Sequence, residues 1–122
     1  MHVTGKEPAK TVMIKIDGKM AMAVLPATQR VDFDLLTGVA GTDNVHLAGE
    51  DEFKNLFPEC EPGVMPPFGN LYGMNVYAER SVSRDKEIVF NAGSHTEVFC
   101  MKYKDYERVV NPKLARFSDA NY

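Results

Sequence analysis

Cys60 and Cys100 are the strongest potential nucleophiles in the sequence, yet neither has the neighbours that a reactive thiolate needs. A thiolate requires an adjacent base or a positive field. Cys60 has no histidine near it in sequence. His95 and Cys100 lie five positions apart, so on one extended strand they face opposite sides. Both cysteines read as small core or rim residues, and a hydrolase built on Cys60 is the least favoured reading. His2, His46 and His95 make none of the paired spacings that place two ligands on one metal, so no metal or other cofactor is expected. The sequence has no G-x-G-x-x-G and no Walker loop to cradle nucleotide phosphates. The acids of "DFD" (32–34) and "EDE" (50–52) sit where helix starts explain them.

Three features are left. Lys10 closes "EPAK", just ahead of the first strand pattern. The run "EPGVMPPFGN" (61–70) sets Pro66 beside Pro67 between two glycines, so it is neither helix nor central strand. Its backbone is stiff, and Gly63 lets a ligand approach it closely. His95 follows Gly93 and Ser94 at an expected bend. Taken singly, a flanking lysine, a proline loop and a histidine at a turn are ordinary surface features.

The elements that would position these residues follow from hydrophobic period. "TVMIKIDGKMAMAVLP" alternates as a hairpin around Asp17-Gly18, a pair suited to positive φ. Its return strand is apolar on both faces, and Pro26 ends it. Residues 31–41 switch to helical spacing, with Val31, Leu35 and Val39 on one stripe, Asp32 as N-cap and Gly41 as stop. "NVHLA" reads as a strand, "EDEFKNLF" as a short helix ended by Pro58, and "MNVYAE" as a strand. "EIVFNAGSHTEVFCM" reads as a second hairpin around Gly93-Ser94. "YKDYERVV" is a final helix with Tyr103, Tyr106 and Val110 inward, ended by Pro112. The pattern predicts a single α/β domain over residues 1–122, with a mixed, strongly curved, barrel-like sheet flanked by helices.

A hydrophobic fraction of 44% suffices for one packed core, and no apolar run is long enough to span a membrane. Two cysteines make no disulfide framework, which points to a reducing cytoplasm. A net charge of −3 argues against a globally basic nucleic-acid binder, DNA included. Contact with phosphates then requires a local basic patch. Lys6, Lys10, Lys15 and Lys19, ahead of the acidic stretches, are the expected place for it. The same charge predicts weak contacts to the body of any RNA.

Together, "AKTVMIKIDGKMAMAVLPATQRVD", "EPGVMPPFG" and "FNAGSHTE" resemble the YbaK-type aminoacyl-tRNA deacylases, the family of the editing domain associated with prolyl-tRNA synthetase. The similarity runs from about Val3 to Ser118 and rests on three separated motifs in order. The resemblance implies a metal-independent hydrolase that cleaves the ester of a mischarged tRNA carrying a small amino acid. It acts in trans, and its partners are the 3′ end of that tRNA and an aminoacyl-tRNA synthetase. It implies catalytic roles for Lys10 and Gly63. Val64, Met65, Pro66, Pro67, Gly93, Ser94 and His95 would bind substrate. It also implies a longer segment ahead of the first strand than the nine residues before Lys10; the chain is then a natural short form, a late start or a fragment, and a missing wall would expose apolar surface that a partner chain could cover. The alternative is a non-catalytic module of the same fold. Such a module would bind an amino acid, a nucleotide, a tRNA 3′ end or a protein partner.

Overall fold

A computed structural model describes residues 8–53, 66–84, 86–91 and 98–119. The first hairpin forms as its alternation requires. Strand β1 (Ala9–Ile16) pairs antiparallel with β2 (Lys19–Pro26), in register from Ala9–Pro26 to Ile16–Lys19. Asp17 and Gly18 both take positive φ in the turn. Residues 21–26 of β2 are buried, as an apolar strand covered on both faces must be.

A two-residue strand, β3 (Arg30–Val31), precedes helix α1 (Phe33–Ala40). The Asp32 carboxylate accepts from the amides of Asp34 and Leu35 at 3.0 and 3.2 Å, and Gly41 closes the helix at φ +76°. Val31 lies outside the helix because it pairs with Ser118. Strand β4 (Val45–Leu47) and the turn α2 (Glu50–Phe53) follow. The remainder of the "EDEFKNLF" helix lies outside the described residues.

Past Pro66 come a 3-10 turn (Gly69–Tyr72), strand β5 (Asn75–Glu79) and a second 3-10 turn (Arg80–Arg84). Strands β6 (Glu87–Asn91) and β7 (Val98–Lys102) pair antiparallel as the second hairpin, and helix α3 (Tyr103–Val110) follows. Asn111 in the left-handed region caps α3, one residue ahead of Pro112. Two short strands that the sequence pattern did not reveal, β8 (Lys113–Ala115) and β9 (Ser118–Asp119), pair with β5 and β3.

The main sheet has the order β7-β6-β1-β2-β5-β8, with β4 also on β1. It is mixed: β1–β6, β2–β5 and β5–β8 are parallel and the other pairs antiparallel. It is also open, ending at β7 and β8 rather than closing as a barrel. One face packs Met13, Met22, Val24 and Phe90 against Tyr103, Tyr106 and Val110 of α3. The other packs Ile14, Ala23 and Leu25 against Leu36 of α1 and Phe117. No helix among the described residues is long and apolar enough to cross a membrane.

Glu79 fastens the C-terminal segment. Its carboxylate is buried at the end of β5 and accepts from the amides of Phe117 and Ser118 at 2.7 and 2.8 Å. Each hydrogen bond to a charged group contributes on the order of 1.5–3 kcal/mol. Glu79→Ala is therefore expected to lower the unfolding free energy by about 2–4 kcal/mol in urea titration. Gly69 leaves little space for a side chain: a Cβ there would lie 3.0 Å from both Met22 Sδ and Val76 Cγ2, which would have to give way. Gly69→Ala should cost about 1–3 kcal/mol in the same measurement, as overpacked cores do.

Candidate functional site

Lys10 stands one residue inside β1, not ahead of it, because pairing already begins at Ala9. Ala9 pairs with Pro26 on one side and with Phe90 of β6 on the other. Paired residues share a sheet face, and the next residue along each strand points to the opposite one. Lys10, half-buried, therefore projects to the same face as its partner Leu25. Asn91, next after Phe90 and the last residue before the 92–97 segment, projects to that face as well. The strand that carries Lys10 thus meets the strand that leads into the histidine-bearing segment.

The proline loop arrives from the other face. Pro67 is fully buried, and its carbonyl accepts the Tyr106 hydroxyl at 2.7 Å. The ring of Phe68 rests edge-on against Phe90 at 5.5 Å and against Tyr106 at 5.6 Å. Phe90 also meets Phe99 of β7 at 6.2 Å. Phe90 is consequently the common neighbour: its backbone meets the Lys10 strand, its ring packs against Phe68 at the end of the proline loop, and its strand leads toward residues 92–97. Alternation explains why Phe90 is buried, but its role as a junction depends on pairings that no local pattern reveals. Tyr106 belongs to the expected inward stripe of α3; the acceptor of its hydroxyl, 39 residues away, was not readable from sequence.

Of the residues singled out from the sequence, Lys10, Pro66 and Pro67 are described. Gly63, Val64, Met65, Gly93, Ser94 and His95 lie outside the described residues, as does Cys60. Cys100 is half-buried in β7. Of the lysines expected to form a basic patch, Lys6 lies outside the described residues, and Lys10, Lys15 and Lys19 do not gather. Lys10 pairs with Leu25 while Lys19 pairs with Ile16, so the two lie at opposite ends of the hairpin, about 20 Å apart at strand rise. Lys15 is engaged with Glu52 at 3.5 Å.

The tyrosine pair beside the loop is held neutral. Burial, then the nearby carboxylate of Glu107, pushes the Tyr103 phenol up to about 12. Burial, then Tyr103, raises Tyr106 as well. In the unfolded chain both phenols titrate near about 10. Their neutral forms therefore stabilise the fold fully below about pH 10, and that stability is lost as pH rises through the folded values. The urea midpoint should fall between about pH 10 and 12, together with the rise of tyrosinate absorbance. Tyr106→Phe should lose about 1 kcal/mol at neutral pH by leaving the Pro67 carbonyl unpaired.

The family model of the aminoacyl-tRNA editing domain matches residues 1–109. The chain is 33% identical over 86 residues to a proline–tRNA ligase of Staphylococcus saprophyticus, and 30% identical over the same length to that of Staphylococcus aureus strain Newman. Each match covers 70% of this chain and 15% of the ligase, so the chain spans only a small part of those relatives. Among solved structures, a protein described as a candidate trans-editing enzyme for prolyl tRNA synthetase superposes with a TM-score of 0.80 at 16% identity, over 92% of this chain and 70% of its own. A hypothetical protein superposes with a TM-score of 0.82 at 19% identity, over 96% and 77%. At such identities the structural likenesses speak to fold alone.

Proposed function

The chain belongs to the aminoacyl-tRNA editing domain family, and from that premise we propose that it is a trans-acting deacylase that hydrolyses the ester of a tRNA mischarged with a small amino acid. What supports the reading is the family match, together with the pairing of the Lys10 strand with β6 at Ala9–Phe90; Phe68 packs on the opposite face of that joint. The proposed partners in this chemistry are the 3′ end of the tRNA and, as a source of mischarged substrate, a synthetase.

An aminoacyl ester is already activated. Its hydrolysis needs an oriented water and donors at the developing oxyanion, and the barrier falls when these are fixed before the substrate arrives. In this proposal the backbone at Gly63 supplies that fixed wall, with Val64, Met65, Pro66 and Pro67 bounding the side-chain pocket. The buried Tyr106–Pro67 hydrogen bond anchors the loop's end, which supports a preorganised wall. Lys10 would hold the terminal nucleotide by its ammonium donors. Gly93, Ser94 and His95 would close the pocket opposite, next to Asn91. Water attacks the carbonyl carbon, the ester C–O bond breaks, and the ribose oxygen leaves with a proton. Pocket size then sets which amino acid is accepted, at about 1–3 kcal/mol per methylene.

The test is release of free amino acid from a panel of mischarged tRNAs. Release well above the spontaneous rate is expected for at least one small amino acid. Lys10→Ala should lower kcat/KM by tenfold or more, about 1.4 kcal/mol of transition-state stabilisation. Cys60→Ser should retain full activity. A folded chain that releases nothing from any of the charged tRNAs contradicts the proposal.

A further inference from the structure

Two neighbouring cavities concentrate positive charge on a chain that is acidic as a whole. The smaller, of about 260 Å³, is rimmed by Arg80, Arg84 and Arg116, with Glu79 and Ser81 in its lining. The larger, of about 860 Å³, is lined by Arg84, Lys86, Lys102 and Lys104, with Glu87 and Tyr103. Arg84 belongs to both, so the basic surface is continuous.

Six of the chain's 14 lysines and arginines gather here, against Glu79, Glu87 and, by sequence, Asp85. The remainder of the chain holds eight cations and 14 of its 17 acids. The negative total therefore hides a strongly positive face. Glu87 stands opposite Lys102 in the β6–β7 ladder and Glu107 lies against Tyr103, so these acids offset part of the charge around the larger cavity. The Glu79 carboxylate, which accepts the Phe117 and Ser118 amides, offsets part of that at the smaller one.

The face begins close to Lys10. Ala78 of β5 is level with Val24, and Val24 with Thr11. One step further along each strand stand Glu79, Leu25 and Lys10, all on one sheet face. Lys10 and Glu79 are thus two strand spacings apart, about 10 Å. Arg80 follows immediately. A single-stranded 3′ end seated at Lys10 has its next phosphates within reach of this cavity.

We propose that Arg80, Arg84, Arg116, Lys86, Lys102 and Lys104 form the docking surface for the phosphodiester backbone of the RNA. The proposal rests on the deacylase reading, which places the aminoacylated 3′ end at Lys10. The planar guanidinium fork matches phosphate oxygens in pairs. Two cavities in series suit a polymer with repeated charge better than a single anion. The Ser81 hydroxyl, buried in a residue that lines the smaller cavity, lacks a hydrogen-bond partner among the described residues. Helix α3 starts between Lys102 and Lys104 without a side-chain cap, so its positive end adds to the field. A membrane surface fits poorly: among the described residues the exposed large apolar ones, Leu47, Leu71, Tyr72, Val98, Phe99 and Val109, line neither cavity.

The experiment is fluorescence anisotropy with the full chain and an uncharged RNA hairpin bearing a single-stranded 3′ end, across a salt series. The triple variant Arg80→Ala, Arg84→Ala, Arg116→Ala should bind at least tenfold more weakly. Its slope of log K against log salt should shrink by about 2, at roughly 0.7–0.9 for each phosphate no longer neutralised. Should the triple variant fail to fold, Arg84→Gln at an exposed position should reduce the slope by about one. Lys19→Ala, at the far hairpin turn, should bind like the parent chain. Unchanged affinity and slope in the arginine variants overturn the proposal, as does an equal loss in Lys19→Ala. Binding to phosphatidylserine-containing vesicles but not to the hairpin also overturns it, assigning the face to a membrane. Because no hydrolysis is required, the two ideas separate. Arginine-dependent RNA binding without amino-acid release keeps the surface and removes the deacylase. Release with arginine-independent binding does the reverse.

Discussion

A single pair, Ala9 with Phe90, joins the β6–β7 hairpin to the edge of β1 among the described residues. Parallel pairing over so short a length supplies little stability by itself. The ring of Phe90 compensates, since it lies between Phe68 and Phe99 and brings two more segments onto the same joint. Aromatic edge contacts of this kind add on the order of 0.5–1.5 kcal/mol each beyond the area they bury. The joint also decides geometry. Shifting β6 by one residue against β1 would turn Phe90 to the wrong face and move Asn91 away from Lys10.

The two faces of the sheet divide the work around that joint. On one side, α3 and the end of the proline loop form an aromatic layer, closed by the Tyr106–Pro67 hydrogen bond. On the other, the row of Lys10, Leu25 and Glu79 runs toward the arginine-rimmed cavity. Of that row only Lys10 is cationic; Leu25 and Glu79 are buried beneath α1 and the C-terminal segment, and the positive charge lies beyond them at the arginines. The chain's acidic total does not oppose a polyanion there, because electrostatic attraction follows local potential rather than net charge.

Much of the architecture was readable from local chemistry. Asp17-Gly18 fixed the first turn, Asp32 and Gly41 bounded α1, and the stripe of Tyr103, Tyr106 and Val110 oriented α3. These are signals in which each residue's own backbone or period preference agrees with the fold. What escaped is long-range. The pairing of β5 with β2, the two short strands at the C-terminus and the open rather than closed sheet depend on contacts between distant segments. The basic face escaped for the same reason: Arg80 and Arg84, Lys102 and Lys104, and Arg116 come from three separate stretches. The lysines clustered at the start of the sequence, by contrast, spread along a hairpin because a strand carries its side chains apart at about 3.3 Å per residue. Of the candidate site, the family motifs were readable from type and order; that the Lys10 strand should pair with the strand leading to residues 92–97 was not.

The most direct test of that convergence is an NMR titration of the chain with a non-hydrolysable 3′-aminoacylamino-adenosine. Saturable shifts concentrated at the amides of Lys10, Phe68 and Asn91, with residues 61–65 and 92–97 moving alongside them, are the predicted result. Shifts confined to the opposite end of the hairpin, around Ile16 to Lys19 and Val45 to Leu47, or no saturable shifts at all, would contradict it.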